Sequence, residues 1–177
     1  PVKTTVYDDD IKGIRNETII DKDGNTETKY YGEKGKYLGS NTTSGSGENM
    51  VVDYYSSPMR ISKIEKYRKD GSVKEGVIYS KSGKILQEQK MNKKDGYKTT
   101  YDESGKKIGH LVYQYDKEND IYNPMDGDDY HLAYEYSQIS SIDTYDKGSK
   151  VTSKYFDEDG KLSTEQFLKD DLIQEIK

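Results

Sequence analysis

Along most of the chain an aromatic or apolar residue is followed four positions later by glycine. The intervening residues are mainly acidic, basic or serine. The unit occurs as Ile20-DKD-Gly24, Tyr31-GEK-Gly35, Tyr67-RKD-Gly71, Tyr79-SKS-Gly83, Tyr101-DES-Gly105 and Phe156-DED-Gly160. Asn92-KKD-Gly96 and Tyr145-DK-Gly148 are degraded copies. Where the pattern is dense, successive glycines lie 9–13 residues apart. Glycine supplies the positive φ of a tight reversal, and Asp, Asn or Ser just before it stabilises the turn through its own side chain. The intervals between turns are one strand long, roughly five to seven residues.

Those intervals alternate as strands do. Val73, Glu75, Val77 and Tyr79 share one face of 73–79, and Tyr130, Leu132, Tyr134 and Tyr136 form a period-two stripe opposite His131, Ala133 and Glu135. Leu111, Val112, Tyr113 and Tyr115 put apolar groups on both faces of 108–115. The C-terminus reads as strand 162–168, turn 169–171 and strand 172–176. The pattern therefore predicts a mainly β protein, a long antiparallel meander of repeated hairpins in a twisted, cupped sheet. It would hold about twelve strands of ordinary length and form a single domain, 1–177. Helices at 58–68, with Ser57 as cap and Pro58 in the first turn, and at 128–141 are the local rivals. Two stretches break the beat and read as inserts. Residues 40–58 open with a Ser/Gly/Thr/Asn run, and 115–130 are acidic and aromatic with Pro124 and Gly127.

Composition agrees with strands. There is one alanine, Ala133, and seven leucines, whereas 18 tyrosines supply a third of the 31% hydrophobic content. Helical bundles lean on Ala and Leu, while tyrosine suits a half-wetted sheet face. The poverty of apolar residues predicts that one face is wet over much of its area. No segment nears the roughly 18 apolar residues of a membrane span. The absence of cysteine excludes disulfides, thiolate nucleophiles and zinc–thiolate sites. The chain opens at Pro1, which fits either a removed initiator Met or a start after a leader or anchor; the second would place the protein outside the cytoplasm or at the cell surface.

Charge is segregated. Residues 60–109 hold fourteen basic and seven acidic groups, and 116–146 hold one basic group, Lys117, and nine acidic ones. Such a dipolar chain can steer a charged partner. Alternatively, the two blocks pair with each other across strands. Lysines scattered over turns and both faces, next to an acidic block, argue against nucleic acid. The acidic, tyrosine-rich region is the candidate partner-binding surface: Asp116, Glu118, Asp120, Tyr122, Asp126, Asp128, Asp129, Tyr130 and Tyr134. Rings supply buried area there and carboxylates pair with Lys or Arg of the partner.

Motifs for chemistry are sparse. His110 and His131 lack a G-x-S-x-G or H-E-x-x-H context, and no phosphate-cradling loop is present. Asp21-Lys-Asp23-Gly24 and Asp157-Glu-Asp159-Gly160 resemble pieces of Ca²⁺ loops. However, with glycine at the sixth position of an EF-hand loop, Ile19 or Tyr155 falls at the first, where an acid is needed. Asp126-Gly127-Asp128-Asp129, helped by Asp116 or Asp120, is a cation candidate against the plainer reading of a solvated turn. No spacing selects a carboxylate pair for glycoside hydrolysis. No catalytic residue, cofactor or metal is assigned.

The turn unit resembles the MORN-like repeat of YwqK-type antitoxins. In Tyr101-Asp102-Glu-Ser-Gly105-Lys106-Lys-Ile108 it also resembles the YD repeat of large secreted shell proteins. As a small chain it is similar to TipC-type bacterial immunity proteins. The two repeat resemblances cover most of 14–168 outside the two inserts. The antitoxin and immunity-protein resemblances imply a cupped β-sheet that binds and neutralises a cognate toxin by protein–protein contact, without enzymatic activity, and the acidic, tyrosine-rich region would meet a basic surface on that toxin. The alternatives are a cell-envelope adhesion or scaffold domain of a larger secreted repeat protein, and a hydrolase with carboxylate chemistry in an acidic pocket.

Overall fold

The structure, a computed structural model, describes residues 1–8, 13–42, 49–55, 60–136, 138–169 and 172–177. Among the described residues strands predominate and each helical piece is a single 3₁₀ turn, so the protein is a mainly β antiparallel meander of hairpins. Contacts group it into two compact units, residues 1–83 and 84–177.

The first unit holds β1 (Val2–Asp8), β2 (Gly13–Ile20), β3 (Thr26–Tyr31) and β4 (Tyr37–Thr42), hydrogen-bonded in that order as a four-stranded sheet. It continues through β5 (Asn49–Tyr54), β6 (Ile61–Tyr67) and β7 (Val73–Tyr79), each antiparallel to the next. Its interior gathers around Val52 and Tyr55, both nearly fully buried. The Tyr54 hydroxyl lies 2.9 Å from the carbonyls of both Arg15 and Tyr31, tying β5 to β2 and β3. Burial pushes that phenol up to about 12.

The second unit holds β8 (Ile85–Met91), β9 (Asp95–Tyr101), β10 (Lys107–Asp116), β11 (Ile121–Leu132), β12 (Ile139–Asp146), β13 (Ser149–Phe156), β14 (Leu162–Lys169) and β15 (Leu172–Ile176). They are hydrogen-bonded in sequence order, all antiparallel.

Glycine takes the positive φ the pattern predicts, but the carboxylate that braces these turns stands three residues before the glycine and not directly before it. Asp102 Oδ1 accepts the N–H groups of Ser104 (2.9 Å) and Lys106 (3.0 Å), and Gly105, at φ +86°, donates its N–H to the Asp102 carbonyl. Asp21 and Asp157 accept in the same way from the residues two and four positions on. The donated bonds favour the carboxylate, so the Asp102 carboxyl lies below its ordinary range, with the Ser104 hydroxyl as the largest cause. The two-residue Lys147-Gly148 turn has positive φ at both positions (50° and 84°), the geometry that matches strand twist in a short hairpin.

Fifteen strands are present among the described residues, more than the glycine beat alone predicts, because both stretches that read as inserts contain strands. Residues 40–58 include the end of β4 and all of β5, while 43–48 and 56–59 lie outside the described residues. Residues 115–130 are the end of β10, a four-residue turn (117–120) and most of β11, not a loop. Both helical readings are corrected. Ile61 and Ile64 lie in β6, and 128–132 belong to β11. The tyrosine stripe stops at Ala133, because Tyr134–Tyr136 form a 3₁₀ turn in which Glu135 and Tyr136 take positive φ.

The interior of the second unit is unusually polar. Leu111 is fully buried, and Leu86 and Met91 nearly so, but beside them lie Gln87, Thr99, Thr100 and Ser153, each at most 7% exposed. The chain tightens at Gly127 (φ +112°), where a Cβ would stand 1.9 Å from the His110 carbonyl oxygen. Beyond it β11 meets the Gln87 side chain of β8 and the backbone of β10. Gln87 Nε2 donates to the Tyr130 carbonyl (2.6 Å), and the Tyr130 ring occupies the space a Cβ on Gly109 would need.

Candidate functional site

Eight of the nine residues expected at the partner-binding surface lie along the β10–β11 hairpin. Asp116 ends β10, Glu118 and Asp120 lie in the turn, and Tyr122, Asp126, Asp128, Asp129 and Tyr130 lie on β11. Tyr134 falls beyond, in the 3₁₀ turn, and its side chain lies outside what is described.

Most of these side chains hold the hairpin itself. Asp116 accepts the backbone N–H groups of Glu118 (2.9 Å) and Asn119 and the Asn119 side-chain amide (2.8 Å). Those bonds hold its carboxyl below the ordinary range, the Asn119 amide contributing most. The Tyr115 hydroxyl donates to Asp120, and its ring packs on Tyr122 with centroids 5.0 Å apart. The Tyr122 hydroxyl donates to the Asn92 carbonyl, and that of Tyr130 to the Ile108 carbonyl (3.0 Å). Asp126 caps the β12–β13 turn by accepting the Lys147 N–H (3.0 Å), and Asp128 accepts the Thr144 hydroxyl (2.7 Å). Asp126 stays exposed, as does the Glu118 side chain at the hairpin tip. A shallow cavity of about 370 Å³ opens there, lined by Gln114, Tyr115, Asp116, Lys117, Glu118, Asn123 and Met125.

Asp129 is committed elsewhere. It stands directly opposite Asp143 on β12, an arrangement that is repulsive if left alone. Three cationic or ionisable groups line up with the two carboxylates. The Lys98 ammonium of β9 meets Asp129. His131 Nε2 lies 3.7 Å from Asp129 and 3.5 Å from Asp143. Lys150 Nζ reaches Asp143 at 3.5 Å, and the buried Ser153 hydroxyl donates to it at 2.6 Å. The result is a ladder across β9, β11, β12 and β13, with Lys98 and Asp129 only 14% exposed. Part of the charge segregation along the sequence is thus internal pairing. The ladder also uses Asp129 out of the Asp126–Asp129 cation candidate, and no group of three or more His, Asp or Glu among the described residues is arranged to hold a metal ion.

His110 sits apart from the ladder. Its Nδ1 lies 3.0 Å from the Thr99 hydroxyl and its ring 5.9 Å from that of Tyr97. Burial, helped by Lys107, pulls its imidazole below the ordinary range. Burial likewise raises the Tyr113 phenol, with the Asp129 charge adding to the shift. Sequence alone misses Lys98, Asp143 and Lys150 as members of the ladder, because only strand register joins positions up to 52 residues apart. The charge segregation was their one signal. Among the described residues no helix is long and apolar enough to cross a membrane. No protein-family model and no curated protein matches the chain.

Proposed function

We propose that this is a non-enzymatic immunity protein, an antitoxin that binds a cognate bacterial toxin with a basic contact surface and blocks it by protein–protein contact. The observation that carries the reading is the β10–β11 hairpin. It assembles Asp116, Glu118, Asp120 and Tyr122 at one tip beside an open cavity, and leaves Glu118 and Asp126 exposed. A hairpin braced by its own Asp and Tyr side chains is pre-organised, which lowers the entropic cost of binding. The experiment is co-purification with the product of a neighbouring toxin gene, followed by affinity measurement with Glu118→Lys and Asp126→Lys. Asp129 is excluded from that set, because its charge balances Lys98. Reversal at both exposed sites should weaken the complex and its association rate. Unchanged affinity would remove the acidic face from the mechanism.

One observation favours a second reading, an adhesion or scaffold domain of a larger repeat protein. β15 exposes Leu172, Ile173 and Ile176 by 67%, 52% and 61%. An apolar strand of that kind suits continued pairing with further hairpins. A long repeat array in the intact gene, with no toxin beside it, would favour this reading over the first.

A further inference from the structure

The two faces of β8–β10 differ. One carries Leu111, Thr100 and Gln87 and is buried; the other is buried at Leu86 and Thr99 and opens toward Tyr97 and Val112. On this second face, strand register sets Lys90, Tyr97, Val112 and Asp126 in a single row across four strands, each directly opposite the next. Tyr97 is 36% exposed and Val112 39%, and the His110 ring extends the apolar centre next to Tyr97. A solvent-facing sheet row is ordinarily filled with Thr, Lys and Glu; a contiguous aromatic and aliphatic centre within a polar rim marks an interaction surface. The rim is mixed with an acidic excess: Glu88, Asp95 and Asp126 lie on this face against Lys90 and Lys107.

We infer that this face, centred on Tyr97, His110 and Val112, is a protein-docking surface. Its partner presents an apolar or aromatic side chain flanked by Lys or Arg. The occupant follows from charge complementarity: an apolar anchor fills the centre while basic groups meet Glu88, Asp95 and Asp126. The inference rests on the protein-binding function proposed above and moves the centre of binding from the hairpin tip to the sheet face. The same preference for a basic partner is kept, with Asp126 shared between the two.

The test uses the full chain and a displayed random peptide library as probe. Selected peptides should be enriched in Lys or Arg around an aromatic or aliphatic residue. The best of them should shift the amide resonances of Tyr97, His110, Val112 and Asp126 in the wild-type protein. Tyr97→Ser and Val112→Ser should each weaken that peptide about tenfold, the effect of losing a central anchor, while Glu158→Lys, an exposed change in the β13–β14 turn, leaves it within about twofold. Resonance mapping on the wild type needs no variant to fold. Basic peptides that instead perturb residues 116–122 would overturn this surface while keeping the hairpin reading. Selection with no basic preference would overturn both.

Discussion

The Lys98–Asp129 pair lends itself to a double-mutant cycle. Both side chains are 14% exposed, so little water screens them. Removing one partner of a buried pair costs about 3–5 kcal/mol, mostly because the other charge stays behind unpaired. The lower end applies here. Loss of Asp129 also removes the like-charged neighbour of Asp143, which keeps His131 and Lys150. Asp129→Leu should therefore cost about 3 kcal/mol, or roughly 12–24 °C in the midpoint of a unit of this size. Lys98→Met with Asp129→Leu leaves neither charge stranded and should lie within about 1 kcal/mol of the wild type. Urea unfolding followed by far-ultraviolet dichroism gives the stabilities, and hydrogen exchange at strands β9 and β11 localises the effect. A coupling below about 0.5 kcal/mol, with the double variant as unstable as the single, would refute the ladder as a stabilising contact between the basic and acidic segments.

Two further outcomes follow from single residues. Gly127→Ala should destabilise far more than Gly24→Ala in the same unfolding assay. Both glycines have positive φ, but the new Cβ at 127 would meet the His110 carbonyl oxygen at 1.9 Å, whereas at 24 nothing lies within 4 Å. The second change should cost only the conformational strain of about 1–2 kcal/mol, and equal losses would contradict the close approach of β11 to β10. For His110 the folded protein disfavours the imidazolium, so the unfolded chain takes up a proton first as pH falls. Stability from this group is complete above the ordinary imidazole range, near about 6.5, and declines below it as pH drops toward the lowered folded value. His110→Gln should remove that component of the pH profile, the decline that sets in below about 7, and an unchanged profile would assign it to another group.

The fold was legible because its signal is local. Asp102, Ser104 and Gly105 fix their turn through bonds spanning four residues, and the same chemistry recurs at Asp21 and Asp157. The strands within 115–130 were harder to read because the turn between them uses another device. The β10–β11 turn has no glycine; Asp120 itself takes φ +56°, helped by the Tyr115 hydroxyl. Gly127, which looked like a loop residue, is instead the point where β11 tightens against β10. Tyr134 and Tyr136 continue the alternation of Tyr130 and Leu132 in sequence but not in space, since the chain turns at Ala133. The ladder was hidden for a different reason. Its members are chosen by register, and register in turn depends on bulges such as the one between Val112 and Tyr113.

The internal pairing changes what the acidic segment offers a partner. Of its carboxylates, Asp116 and Asp120 brace the hairpin turn, Asp128 holds Thr144, and Asp129 and Asp143 answer Lys98, His131 and Lys150. A carboxylate that accepts several protein hydrogen bonds keeps its charge, but its lone pairs are largely used, and re-aiming it toward a partner would break the bonds that hold the strands. The field around the hairpin remains negative and still steers a basic protein at low salt, because steering depends on net charge more than on free lone pairs. Short-range affinity is another matter. With few carboxylates free to form new ion pairs, most of the binding energy has to come from desolvating side chains that have no competing role. Tyr97 and Val112 are such side chains: they are partly exposed, adjacent in one row, and rimmed by charge. A partner recognised in this way should show an association rate that falls steeply with ionic strength and a dissociation rate that scarcely responds to it.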